Sequence, residues 1–164
     1  MDCTNFENCF ASLEERGTKE KNCKKNSCLK SFDQRKSIAV SENSKRYELI
    51  NERKDQVAVF RMDHGLLETN VRAKCDYFIL DIDLKHAIFV ELKGKNLSHA
   101  FEQIEETRKY LISGLKEYAL HGRIVTSNRT NVPNVKANPK YVALKKKMDI
   151  KIQSNELKEM VDEL

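Results

Sequence analysis

Asp76, Glu91 and Lys93 are the residues of this chain whose types and spacing are best suited to chemistry. Paired carboxylates are what a Mg²⁺ or Mn²⁺ ion takes: hard oxygen donors, few in number, with waters and a substrate phosphate completing the octahedron. The carbonyl of Leu92, between Glu91 and Lys93, can add another oxygen. On a strand, Lys93 projects from the same face as Glu91. Its ammonium can there steady an attacking hydroxide or the charge developing on a phosphate. The chemistry implied is metal-assisted hydrolysis of a phosphodiester. The plain alternative is a structural Asp–Lys or Glu–Lys pair at a sheet end, because Glu-x-Lys alone is common on strands.

The elements that must position these residues follow from the apolar pattern. Runs 76–82 and 87–92 flank a short polar turn and read as an antiparallel hairpin. A turn of two or four residues around 83–86 sets Asp76 opposite Glu91 or opposite Lys93, and all three share a face in either register. That face continues through Phe78, Leu80, Ile82, Ala87 and Phe89, while Tyr77, Ile79, Ile88, Val90 and Leu92 line the other. Both faces are apolar, so the hairpin is expected in the middle of the fold with a layer on each side. Charges at the margin of such a core are costly unless they are used. A helix follows, with Leu97, Ala100, Phe101, Ile104, Leu111 and Leu115 in one stripe, Asn96 or Ser98 as its cap, and Gly122 past its end. Upstream, residues 46–50 and 56–62 suggest a further hairpin, with a helix over 42–52 as the competing reading. Downstream, Ile124-Val125 reads as a strand, Tyr141–Met148 as a basic helix and residues 150–152 as another strand. The sum is a mixed α/β domain.

A buried strand beginning with Asp76, a hairpin, a strand ending in Glu91-Leu92-Lys93-Gly94 and then an amphipathic helix resembles the PD-(D/E)xK nuclease superfamily, over roughly residues 45–128. That superfamily includes restriction endonucleases and Holliday junction resolvases. The proline of its name is replaced here by Cys75, as in many members. The resemblance implies a restriction-endonuclease-like core, a central mixed β-sheet flanked by helices. It implies metal binding by Asp76 and Glu91 and assistance by Lys93. Members often carry a glutamine on the following helix, a place Gln103 occupies with Tyr110 two turns on, although glutamine is also an ordinary helix-surface residue. Many have an acidic residue on a first helix. Glu42 and Glu48 are candidates if a helix precedes the sheet, and Asp63 is a third. The function implied is a divalent-metal-dependent nuclease, an endonuclease acting on DNA rather than RNA. The alternative is a catalytically silent nucleic-acid-binding or assembly subunit that keeps the fold. Because a small nuclease often needs a second subunit to cut two strands, a homodimer or partner subunit is expected.

Composition sets bounds without deciding. The chain has 164 residues, enough for one domain with its own core but not for two. Residues 1–36, rich in Lys and Cys, read as an N-terminal extension, and 37–164 as the nuclease-like domain. Lys and Arg number 30 against 25 Asp and Glu, a mild excess that permits a polyanion partner without requiring one. The segments Lys145–Lys147 and Arg108, Lys109 and Lys116 can contact a nucleic-acid backbone, or can simply be solvated. No run approaches the ~20 apolar residues of a membrane span. The start, MDCTNFENCF, lacks the pattern of a secretory leader, so a cytoplasmic protein with reduced thiols is expected. Cys23/Cys28 have a spacing used by zinc sites and Cys3/Cys9 do not, which favours ordinary thiols. The four histidines show no metal-ligand spacing and are expected in surface or turn roles, and Asp81 and Asp83 are expected to be solvated at the hairpin turn.

Overall fold

The computed structural model describes residues 29–62, 73–92, 96–126, 132–154 and 158–164. Among the described residues, nine strands fall into two sheets. The larger sheet has the order β1-β4-β5-β6-β7-β8, from Leu29–Asp33 (β1), Val57–Arg61 (β4), Tyr77–Asp81 (β5), His86–Glu91 (β6), Ala119–Thr126 (β7) and Asp149–Ser154 (β8). The smaller has the order β2-β3-β9, from Ser37–Glu42 (β2), Lys45–Ile50 (β3) and Glu159–Glu163 (β9). From β1 to β6 the large sheet is antiparallel, and β6, β7 and β8 run parallel. Parallel neighbours need a crossover. Helix α1 (Leu97–Leu111) supplies one and helix α2 (Pro139–Lys145) the next.

The molecule is therefore a mixed α/β fold with a central mixed sheet, and that sheet is covered differently on its two faces. Phe60, Phe78, Leu80, Ala87 and Phe89 pack under α1 and α2 in one core cluster. Val57, Val59, Tyr77, Ile79, Ile88 and Val90 pack against Ile38, Val40, Tyr47 and Leu49 of the small sheet in a second. The predicted partition of the β5–β6 hairpin is observed for each of its apolar residues, with a layer on each side. Among the described residues, however, helices flank one face only. The other is a sheet-on-sheet contact.

That contact corrects the expected hairpin of 46–50 with 56–62. Both segments are strands, but β3 pairs with β2 and β9, and β4 with β1 and β5. Asn51 explains the divergence. Its side chain accepts from Asp55 N at 2.9 Å and donates to Asp55 O and Arg35 O at 2.9 and 3.0 Å. With Lys54 at φ 57°, this knot turns the chain from one sheet into the other. The helix over 42–52 is likewise excluded. Glu42 and Lys45 are instead opposed across a two-residue turn with Asn43 and Ser44 at positive φ, the geometry such tight hairpins prefer.

Three boundaries also move. The segment assigned to the N-terminal extension contains β1, an edge strand of the main sheet, so the folded core reaches back to Leu29. Helix α1 ends at Leu111 and passes into a 3-10 turn, Ile112–Leu115, which buries Leu115. Gly122 is thus no helix terminator. It sits inside β7, where a Cβ would lie 2.5 Å from Ile150 Cδ1 and 3.2 Å from Met148 Sδ. Helix α2 starts earlier than predicted, at Pro139, with Asn138 capping Lys140 N at 2.9 Å. Among the described residues, no helix is long and apolar enough to cross a membrane.

Candidate functional site

The hairpin turn fixes the site's register. Residues 82–85 form a four-residue turn in which Asp81 Oδ1 accepts from Leu84 N at 2.9 Å and Lys85 takes φ 57°. Asp81 then opposes His86 and Tyr77 opposes Val90. One step further along the same register, Asp76 meets Glu91 rather than Lys93. Asp76 is 2% exposed and Glu91 0%, and both belong to the helix-covered face, directly outboard of Phe78 and Phe89. Those two rings are in contact, tilted by 47° with 5.0 Å between centroids. Burying each ring stabilises the fold by about 1.5–3 kcal/mol, so the floor of the site is rigid.

The Asp76 carboxylate is oriented from the neighbouring strand: its Oδ2 accepts from Leu92 N at 2.7 Å. Its carbonyl accepts from Met62 N at 3.0 Å, continuing the β4–β5 ladder. Cys75, buried beside it, has its thiol pushed well above the ordinary range by burial first, and then by the nearby charges of Glu91 and Asp76. The thiol therefore stays protonated. Both oxygens of Glu91 are shut off from solvent. Two buried carboxylates set face to face are suitable oxygen donors for a divalent ion. Among the described residues there is no group of three or more His, Cys, Asp or Glu side chains able to hold a metal.

Lys93 and Asp63 lie outside the described residues, as do the four N-terminal cysteines. Glu42 and Glu48 are on strands of the small sheet, not on a first helix. Glu48 bonds Ser37 Oγ and pairs with Arg46 at 2.8 Å, so neither serves as the expected helical acid. Gln103 does lie on α1 near the site, but its amide nitrogen donates to Lys74 O at 2.8 Å, holding backbone just ahead of Asp76. Thr107, one turn on, escaped the sequence reading. Fully buried, it accepts from Cys75 N at 3.0 Å. Its signal was a polar residue in the apolar phase of an amphipathic helix.

A second buried polar cluster, between the sheets, was also missed. Arg123 is 0% exposed on β7 and bonds Asp162 of β9 through Nε. It reaches Asp149 Oδ2 at 3.0 Å and the carbonyls of Gly122 and Asp149 at 3.1 Å. Lys151 pairs with Asp162 at 2.5 Å, and Tyr47 OH donates to the same carboxylate at 3.2 Å. Burial alone would raise the Asp162 carboxyl, but Lys151 and Arg123 outweigh it and hold it below its usual range. His121 Nε2 and His86 Nδ1 lie 2.8 Å apart with their rings stacked, correcting the expected surface role. Burial, Arg123 and His86 lower the His121 pKa. Asp81 is buried too, and desolvation raises its carboxyl.

On the surface, part of the basic charge is internally compensated. Lys140 pairs with Glu102 at 2.9 Å, Lys147 with Glu105 at 2.5 Å, Arg108 with Glu105 at 2.8 Å and Lys109 with Glu106 at 2.6 Å. Lys116, Lys145 and Lys146 form no ion pair among the described residues. Comparison with family models, with curated proteins and with solved structures found no match for this chain.

Proposed function

We propose that the chain is a divalent-metal-dependent nuclease with a restriction-endonuclease-like core, hydrolysing phosphodiester bonds in DNA rather than RNA. The observation that carries this reading is the opposed, buried Asp76/Glu91 pair at one end of the β5–β6 hairpin, with the Asp76 carboxylate oriented by the Leu92 amide. The succession of a hairpin, an amphipathic helix and a parallel strand supports it, since it matches the arrangement of the superfamily the sequence resembles.

Asp76 and Glu91 would hold Mg²⁺ or Mn²⁺, with the Leu92 carbonyl as a further oxygen. The bound ion supplies Lewis acidity toward a phosphate oxygen and lowers the pKa of water. The protein's own part is fixed geometry. The aromatic floor and the Leu92 hydrogen bond keep the carboxylates in place without reorganisation during reaction. Lys93 orients the attacking water and opposes charge growing on the phosphate. A second subunit, another copy of the chain or a partner, would supply the second cut in a duplex.

Metal-titrated cleavage of plasmid DNA, single-stranded DNA and RNA tests the proposal. Cleavage that needs Mg²⁺ or Mn²⁺ and disappears in Asp76→Asn is expected. Binding of nucleic acid without cleavage under any divalent ion would instead favour a silent binding or assembly subunit.

A further inference from the structure

We infer that Thr107, assisted by Gln103 one turn earlier on α1, is the positioning residue that holds Asp76 opposite Glu91. The consequence for metal affinity rests on the proposed reading of that pair, whereas the geometry does not.

The segment 73–75 leads into β5 without belonging to the ladder. Its buried backbone groups must still find partners, because an unpaired buried N–H costs about as much as a lost hydrogen bond. Helix α1 supplies two. Thr107 Oγ1 accepts from Cys75 N at 3.0 Å, and Gln103 Nε2 donates to Lys74 O at 2.8 Å. The two side chains are four residues apart, hence neighbours on one helix face. The hydroxyl has a single proton, and that proton goes to Gln103 O at 2.8 Å, so a lone pair faces Cys75. Thr107 thus has a defined orientation, fixed by the helix it stands on.

Packing does not account for a threonine here. The rest of the buried stripe is Leu97, Ala100, Phe101, Ile104 and Leu111, all apolar. Valine has nearly the same shape and would fill the position without a hydroxyl to satisfy. What the hydroxyl adds is a bond to the residue adjoining Asp76. Asp76 is then constrained from three directions: by α1 through its neighbour Cys75, by Met62 N just past β4 at its main-chain carbonyl, and by Leu92 N just past β6 at its carboxylate. Loosening the first lets the Cys75–Asp76 peptide drift. Groups of a site lose function when displaced by about 1 Å.

Amide exchange gives a readout independent of catalysis. Leu92 N–H lies one residue past the end of β6, and its bond goes to the Asp76 side chain. In Thr107→Val, exchange should accelerate about tenfold at both Cys75 and Leu92, the fold-change of roughly one net hydrogen bond. Thr107→Ser should restore both, and amides inside β7 should not change in either variant. Mn²⁺ affinity, measured by calorimetry, should fall about tenfold in the valine variant and recover with serine. If Cys75 accelerates and Leu92 does not, Thr107 holds only its own partner and the inference is wrong. A wild-type protein that binds no Mn²⁺ removes the metal reading, while Leu92 exchange still decides the clamp. Should Thr107→Val fail to fold, Gln103→Met takes its place. This half-buried substitution removes only the bond to Lys74 O, and unchanged Leu92 exchange in it would overturn the inference.

Discussion

Two clusters of charge, each centred on buried residues, lie on opposite faces of the main sheet. Between the sheets, His86 and His121 adjoin Arg123, Asp149, Asp162 and Lys151. Under the helices, at the end of β6, Glu91 faces Asp76. In the first cluster cations and anions alternate, and the Arg123 guanidinium spreads its bonds over three strands. In the second, two acids are opposed and one of them is fixed by a backbone amide. The first arrangement ties β7, β8 and β9 together. The second concentrates like charge where a cation would relieve it. On the proposed reading the difference separates polar burial that serves stability from polar burial that serves a site, and mutation should separate them as well.

The largest effect should come from the compensated cluster. Arg123→Met leaves Asp162 buried beside Tyr47 with only Lys151 to balance it. Removing one partner of a buried ion pair costs about 3–5 kcal/mol. Urea denaturation should show a loss of that size. A change below about 1 kcal/mol would show that the cluster is not what joins the small sheet to the large one.

In the acid pair the same operation should have the opposite character. Asp76→Asn keeps an oxygen able to accept from Leu92 N, and Glu91→Gln removes like-charge repulsion. Each should stay within about 1 kcal/mol of wild type in stability while losing roughly a hundredfold or more in Mn²⁺ affinity. Mn²⁺ binding that survives in both variants, measured by calorimetry, would sink the metal reading. Lys93→Ala should keep the metal and lower kcat by about a hundredfold, because the role proposed for it is in the transition state.

Acid should weaken the compensated cluster in two stages. His121 titrates below the ordinary imidazole value of 6.5, so between its folded value and 6.5 the unfolded chain binds more protons. The stability it contributes is full above 6.5 and falls as pH drops through that value. The groups facing it are His86, Arg123 NH2 at 3.4 Å and Asp149 Oδ2 at 3.6 Å. Asp162 acts later in the same direction. Its carboxyl is held below 3.8, so its contribution is lost as pH falls toward the folded value. The urea midpoint should therefore decline from about pH 7.5 to about pH 5.5, and His121→Gln should flatten that decline. An unchanged slope would assign the acid sensitivity to other groups.

How much of this was legible in the sequence depended on whether a signal was local. The β5–β6 hairpin and α1 each lie in one stretch with a clean period, so faces, stripe and the Asp76–Glu91 proximity could be read directly. The choice between two registers required the turn, and it was settled by Asp81 and Lys85, whose roles are local but not periodic. The three-stranded sheet was not legible: β3 pairs with β9, more than a hundred residues away, and nothing near Tyr47 announces Met160. The tight Asn43-Ser44 turn was legible in principle, but the competing helix over 42–52 masked it. Arg123 between Gly122 and Ile124 implies a distant acid, since a charge inside a buried strand requires one. Thr107 carries a similar warning.

The smallest effect concerns the basic surface, where the structure revises a charge count. If α2 and the adjoining turn bind a nucleic-acid backbone, neutralising Lys145, Lys146 and Lys147 should weaken binding to all sequences alike. The salt slope should shrink by about one unit for every phosphate that is no longer neutralised. Three lysines would suggest a change near three. Lys147, however, already pairs with Glu105 at 2.5 Å, and Lys145 lies 5.8 Å from the Tyr141 ring centroid. A phosphate would have to compete with Glu105 for Lys147, whereas the cation–π interaction leaves the Lys145 charge able to act. The expected reduction is therefore about two units, most of it from Lys145 and Lys146, and Lys147→Gln alone should barely move the slope. Fluorescence anisotropy of a labelled duplex across a salt series measures it. A full three-unit change would mean that Glu105 releases Lys147 on binding. No change at all would leave α2 as a solvated face and direct the search for the binding surface toward Lys116 and the end of α1.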